Sequence, residues 1–112
     1  MNTRVKQVWI EALRSGEYEQ CNGALALNGD DYDSFCCLGV LTNIYCEETG
    51  QGFDDLVANV EGFFLGTLPT AVVNWAGLGS DNPIVGDDTL AECNDNRRKT
   101  FPEIAALIEK HL

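Results

Sequence analysis

The chain has 112 residues, of which 45% are hydrophobic and 9% aromatic, and its formal net charge at pH 7 is -11. This length suits one domain, residues 1–112, and the apolar content excludes a disordered chain because it can offset the entropy cost of folding. No apolar run approaches the roughly 20 residues of a membrane-spanning helix, and no signal-peptide core follows Met1, so we expect a soluble protein of the cytoplasm.

The charges are distributed unevenly along the chain. Between Ser15 and Asn96 there is no lysine or arginine, whereas fifteen of the eighteen acidic residues lie there. The seven basic residues lie near the two ends: Arg4, Lys6, Arg14, Arg97, Arg98, Lys99 and Lys110. The middle of the chain therefore predicts an anionic surface, which repels nucleic acid and anionic membranes and favours a basic partner. The alternative is that this surface only confers solubility.

A helix followed by a hairpin is expected at the amino-terminal end. Apolar residues spaced along one helical face predict an amphipathic helix from Thr3 to Arg14, which ends at Ser15-Gly16. Residues 18–21 and 24–27 flank Asn22-Gly23, a dipeptide typical of a tight type I′ turn. This pattern predicts a short β-hairpin.

The longest apolar segment predicts a central buried helix. Residues 28–31 suit a turn, and Asp33 or Ser34 suits the N-cap of a helix over residues 35–46. This helix is apolar around nearly its whole circumference, and Gly39 would let a neighbouring element approach closely.

The segments after this helix are shorter. Residues 47–67 combine helical apolar spacing with scattered glycines, so both a helix and a loop or second hairpin remain as alternatives. Pro69 suits the first turn of a helix that runs to Ala76 and is closed by Gly77. Residues 80–88 are rich in Asp, Asn, Pro and Gly, which indicates a loop.

Two capping-box sequences predict the last helices. Thr89 with Glu92 should open a short helical turn, and Thr100 with Glu103 should open the terminal helix. Together these elements predict a helix-dominated α+β fold, with about four helices and a small β-hairpin on one compact core.

The residue types give no catalytic set, metal site or cofactor motif. His111 is the only histidine, and the acidic run over residues 28–33 lacks the spacing of a calcium-binding EF-hand loop. The five cysteines are odd in number and form no CxxC pair, so we interpret them as reduced core residues. A pair of catalytic carboxylates stays open, because eighteen acids offer many pairs.

Six polar residues are candidates for ligand binding: Arg14, Tyr18, Gln20, Asn82, Asn94 and Asp95. The first three surround the turn between the first helix and the hairpin, where a guanidinium can clamp a phosphate or carboxylate. The competing interpretation is that Arg14 pairs with nearby acids, that Tyr18 packs, and that the other residues only form turns.

Many of these segments form a recognisable pattern. It comprises Trp9, Ala12-Leu13-Arg14-Ser15-Gly16, Tyr18, Gln20, Phe35-Cys36-Cys37-Leu38-Gly39-Val40-Leu41, Leu68-Pro69, Trp75-Ala76-Gly77-Leu78, Ser80, Asn82-Pro83, Asn94-Asp95, Phe101 and Glu103-Ile104-Ala105. The pattern resembles a family of small uncharacterised bacteriophage proteins. The resemblance implies a phage-encoded accessory protein that acts in the host cytoplasm by binding rather than by catalysis.

Three functions are therefore expected, in this order. The first is a non-enzymatic protein that binds and blocks a host factor with a basic surface, counteracting antiviral defence. The second is sequestration of an anionic nucleotide messenger, which would require Arg14, Tyr18 and residues 97–99 to converge on one pocket. The third is a small hydrolase that uses a carboxylate pair. No direct binding to nucleic acid or membrane is expected, and the oligomeric state stays open, a homodimer included.

Overall fold

A computed structural model of the chain describes residues 1–27, 34–57 and 67–112. Its helices are α1 (Thr3–Arg14), α2 (Cys37–Thr49), α3 (Phe53–Val57), α4 (Thr70–Ala76), α5 (Leu90–Asp95) and α6 (Phe101–His111). Its strands are β1 (Glu19–Gln20), β2 (Ala26–Leu27), β3 (Ser34–Phe35), β4 (Ile84–Val85) and β5 (Asp88–Thr89). Four helices have seven or more residues, so the predicted helix-dominated α+β class is confirmed.

Helix α2 forms the centre of the core. Its buried residues are Cys37, Leu38, Gly39, Val40, Leu41, Thr42, Ile44 and Cys46. The helix begins two residues later than predicted, because Phe35 belongs to β3. Its N-cap is Cys36, whose Sγ accepts from the Gly39 N–H at 3.4 Å, so the expectation of Asp33 or Ser34 as N-cap is wrong. The helix continues past Cys46 and ends where Gly50 adopts a left-handed conformation.

Helices α1 and α6 pack against each other beside α2. Asn2 caps α1 through its side chain, which accepts from Val5 N at 3.0 Å. The indole of Trp9 is fully buried and donates to the Cys37 carbonyl at 3.0 Å, which joins α1 to the start of α2. Helix α1 has the predicted bounds. Its apolar stripe lies within the helix, and the residues that mark its two ends lie directly beside it.

The predicted hairpin around Asn22-Gly23 is wrong. Strands β1 and β2 do not pair with each other, because β3 lies between them, parallel to β1 and antiparallel to β2. Gly23 has a φ of 82°, but Asn22 does not have the positive φ that a type I′ turn needs. The chain therefore leaves β1, passes through this turn and reaches β2 on the far side of β3.

A hairpin does occur in the segment that was expected to be a loop. Strands β4 and β5 pair antiparallel, Ile84 with Thr89 and Val85 with Asp88. Gly86, with a φ of 86°, provides the positive φ at the first position of the two-residue turn.

The predictions for the starts of α4, α5 and α6 have different outcomes. Thr100 and Glu103 form a complete capping box, whereas the Glu92 carboxylate accepts from Asn96 Nδ2 at 2.9 Å instead of returning to its cap. Pro69 is the N-cap of α4 rather than its first residue. The turn predicted at residues 28–31, the acidic run at 28–33 and the segment 58–66 lie outside the described residues.

Candidate functional site

Three of the predicted ligand-binding residues, Gln20, Asn94 and Asp95, come together where α5 meets β1 and α2. The Asn94 side chain is 1% exposed, and its Oδ1 accepts from Gln20 Nε2 at 2.8 Å and from Cys37 N at 3.2 Å. Its Nδ2 donates to the Cys21 carbonyl at 2.7 Å and to Asp95 Oδ1 at 2.9 Å. One buried amide thus links β1, α2 and α5, and every polar atom of this amide has a partner.

The turn after β1 is held against the end of α5 by the same group. Asp95 Oδ1 accepts from the Gly23 N–H at 3.0 Å. With its amide oriented to satisfy its neighbours, Asn22 donates to the backbone carbonyl of Asn94 at 2.9 Å. Asn22 and Gly23 therefore serve to dock the turn on α5.

A polar pocket of about 350 Å³ opens beside this cluster. It is lined by Gln20, Asn22, Asn94, Arg98 and Lys99. Gln20 and Asn94 are among the six candidates for ligand binding, and Arg98 and Lys99 belong to the basic run that sequestration of a nucleotide would require. We refer to this cavity below as the polar pocket.

The basic run after α5 divides into two parts. Arg97 forms an ion pair with Asp88, with 3.3 Å between Nη2 and Oδ1, and so turns towards β5. Arg98 and Lys99 instead line the polar pocket. The Lys99 carbonyl accepts from Gln20 Nε2 at 2.8 Å, which fixes this stretch of backbone against β1.

Arg14 and Tyr18 do not line the polar pocket with the basic run. Arg14 Nη2 lies 2.9 Å from Glu109 Oε2 in the last turn of α6, whereas Lys99 precedes the first turn of that helix. Tyr18 packs edge-on against Phe35, with 5.4 Å between the ring centroids. The single pocket expected for these residues and residues 97–99 therefore contains only Arg98 and Lys99 from that set.

Asn82 has a position that suits a structural role. Its Oδ1 accepts from the Ala91 N–H in the first turn of α5 at 3.0 Å, while the Thr89 side chain accepts from the Glu92 N–H. Both groups satisfy free N–H groups at the start of α5. Asn82 also lies outside the pocket lining.

An acidic surface surrounds Tyr18. We define it by Glu17, Tyr18, Asn43 and Glu47, and call it the acidic face. Asn43 Nδ2 donates to the Tyr18 hydroxyl at 3.0 Å and to Glu47 Oε1 at 3.2 Å, so the residue before β1 contacts α2 here. Partial burial raises the pKa of Tyr18, and the charges of Glu47 and Glu17 raise it further.

The whole chain, residues 1–112, matches the model of one family, described as a domain of unknown function (DUF8296). The chain belongs to this family. No curated protein and no solved structure matches it. The description of the family gives no activity.

None of the five cysteines forms a disulfide bond, and all five are buried. Burial raises the pKa of Cys36 to about 12, and it also raises the pKa values of Cys37, Cys46 and Cys93. These thiols remain protonated at neutral pH, whereas thiol catalysis and metal binding require thiolate. Within the described ranges, no three His, Cys, Asp or Glu side chains lie close enough to hold a metal ion.

In the described part of the chain, no helix is long and apolar enough to cross a bilayer. Sequence reasoning missed Asn22 as a pocket residue, because Asn22-Gly23 has the signature of a hairpin turn. The three consecutive cations at residues 97–99 were the only sequence signal for Arg98 and Lys99.

Proposed function

We propose that this protein is a non-enzymatic, phage-encoded binding protein that blocks a host factor in the host cytoplasm and so counteracts antiviral defence. The observation that supports binding to a basic surface is the acidic face. The phage origin and the role in defence are supported by the sequence pattern shared with small bacteriophage proteins.

The ion pairs of the described residues use acids outside the acidic face. Three ion pairs occur among the described residues, and they use Glu48, Glu109 and Asp88. None of them involves Glu17 or Glu47, which are exposed. Glu17 and Glu47 both lie close enough to Tyr18 to raise its pKa, and a partner that carries Lys or Arg would neutralise these two carboxylates.

Tyr18 adds a specific contact to this charge. It is half-buried and held between Phe35 and Asn43, so its orientation is fixed before a partner arrives. A rigid tyrosine surrounded by carboxylates suits an arginine side chain, because the planar guanidinium can stack on a ring while it pairs with an acid. The acidic face is therefore the surface that we assign to the host factor.

The other two functions have unequal support. Sequestration of an anionic nucleotide is favoured by Arg98 and Lys99 at the polar pocket. Hydrolysis by a carboxylate pair would require an acid with a raised pKa. The pKa of Glu48 is lowered by its hydrogen bond from Arg4, and that of Glu103 by the Thr100 N–H, which is the opposite direction.

The test compares two variants of equal charge. Glu17→Gln/Glu47→Gln changes the acidic face, whereas Glu11→Gln/Asp87→Asn removes the same charge at exposed positions outside it. We expect a host protein to be retained from lysate by the wild type and by the second variant but not by the first. Retention should fall as salt rises from about 50 to 500 mM, because exposed charges are screened.

Two results would contradict the proposal. One is equal retention by both variants, which would show that the acidic face is not the contact surface. The other is retention that does not change with salt, which would show that the contact is not electrostatic.

A further inference from the structure

The polar pocket contains two cations that form no ion pair within the described residues. Arg98 is exposed and Lys99 is half-buried, and the salt bridges of the described chain involve neither. Acidic residues outnumber basic ones by 18 to 7, so a cation on this surface has many potential partners. Two adjacent cations that face one cavity instead form a local anion-binding surface on an acidic protein.

The backbone of Arg98 adds an independent observation. Its φ of 51° is the only positive φ at a non-glycine residue in the described chain. Glycine or asparagine usually takes this conformation after a helix, since a Cβ there is strained. An arginine at this position accepts that strain while the residue lines the pocket, which indicates a role for its side chain.

The stretch around Arg98 is held firmly on both sides. Arg97 N donates to the Glu92 carbonyl at 2.9 Å, and Lys99 N donates to the Cys93 carbonyl at 3.0 Å. The Lys99 carbonyl accepts from Gln20 Nε2. The backbone that carries the two cations is therefore fixed, so a ligand would not have to order this segment on binding.

The side-chain amide of Gln20 can contact the part of a ligand that the two cations do not bind. Gln20 uses its Nε2 for Asn94 and Lys99, but its Oε1 accepts no hydrogen bond from the described residues. That oxygen can accept from an N–H or O–H group of a ligand. Asn94 cannot contribute in this way, because both atoms of its amide are already bonded within the protein.

We propose that the polar pocket binds a small organic phosphate. Arg98 and Lys99 hold the phosphate, whose two negative charges match two cations better than a single carboxylate does. Gln20 Oε1 accepts a hydrogen bond from a hydroxyl or amine of the same molecule. The cavity of about 350 Å³ lies at the small end of ligand sites and suits a group the size of a mononucleotide.

Adenosine monophosphate is the probe, with inorganic phosphate and succinate as comparisons. The amide signals of Gln20 and Asn22 in nitrogen-15 NMR spectra should shift on titration to about 10 mM probe, a range that detects millimolar binding. We expect the nucleotide to bind more tightly than either comparison. Unshifted signals, or shifts confined to residues outside the pocket, would overturn the proposal.

Three variants distinguish the roles of Arg98 and Lys99 from that of Arg97. Arg98→Gly suits the positive φ and should keep the melting temperature, while the dissociation constant for the nucleotide rises about tenfold or more. Lys99→Ala should weaken binding in the same way. Arg97→Ala removes an equal charge from the Asp88 pair and should leave binding unchanged.

Two further outcomes would overturn the assignment. If Arg97→Ala and Arg98→Gly weaken nucleotide binding equally, the binding would depend on net charge and not on the polar pocket. Succinate that binds as tightly as the nucleotide, or inorganic phosphate that does so, would exclude recognition of an organic phosphate. The site is independent of the acidic face, so Glu17→Gln/Glu47→Gln should not alter nucleotide binding.

Discussion

The side-chain amide of Gln20 donates a 2.8 Å hydrogen bond to Oδ1 of Asn94, 74 residues further along the chain. This bond joins the first strand to α5 and forms one wall of the polar pocket. Because Asn94 also forms hydrogen bonds with Cys37 N and the Cys21 carbonyl, it stabilises the fold as well as lining the pocket.

Asn94→Ala should lower the free energy of unfolding by about 3 kcal/mol, because it leaves the buried N–H of Cys37 without its Asn94 acceptor and removes the hydrogen bonds that the Asn94 amide makes to Gln20 and the Cys21 carbonyl. Urea denaturation followed by tryptophan fluorescence measures the loss. The control is Asn96→Ala, an exposed residue whose single side-chain bond goes to Glu92, with an expected loss below about 1 kcal/mol. Similar losses in the two variants would contradict the structural role of Asn94.

Gly39→Ala should destabilise the fold by about 3 kcal/mol or more, since the new Cβ would lie 1.8 Å from the Leu25 carbonyl oxygen. The backbone of Leu25 can yield only by moving away from α2. Gly79→Ala is the matched control, because no atom lies within 4 Å of its added Cβ. Thermal unfolding of both variants checks this, and a stable Gly39→Ala would exclude such a close approach of the two backbones.

Glu103→Ala should destabilise the protein at neutral pH but not in strong acid. The Thr100 N–H, and then the Thr100 hydroxyl, lower the pKa of Glu103 below its ordinary 4.5 in the folded state. A lowered folded pKa gives stability that is present above the unfolded pKa and is lost as pH falls through the folded pKa. The difference between wild type and variant in chemical denaturation should therefore shrink below pH 4.5. A difference that is constant with pH would contradict the capping bond.

The five thiols should resist Ellman's reagent in the native protein. All are buried, and burial raises the pKa of Cys36 to about 12, so little thiolate reaches the reagent. In denaturant all five thiols should react quickly, and the absorbance of the released product gives the number that have reacted. A fast phase in native buffer would show that at least one thiol is accessible, contrary to the structure.

The first and last helices could be read from the sequence because their signals are local. The apolar stripe of α1 and the Thr100–Glu103 capping box of α6 involve residues within a few positions of one another, and both helices form where predicted. Low amphipathicity around α2 likewise indicated a buried centre, which eight buried residues confirm.

Only the tertiary structure determines the order of the strands and the residues that line the polar pocket. Asn22-Gly23 has the local signature of a hairpin, yet β3 pairs with both β1 and β2, and this pairing depends on a segment outside the turn. Similarly, the run of cations at residues 97–99 does not show which member pairs with Asp88 and which members face Gln20. Local hydrogen bonding and apolar periodicity set the helices, whereas contacts between distant residues set the polar pocket.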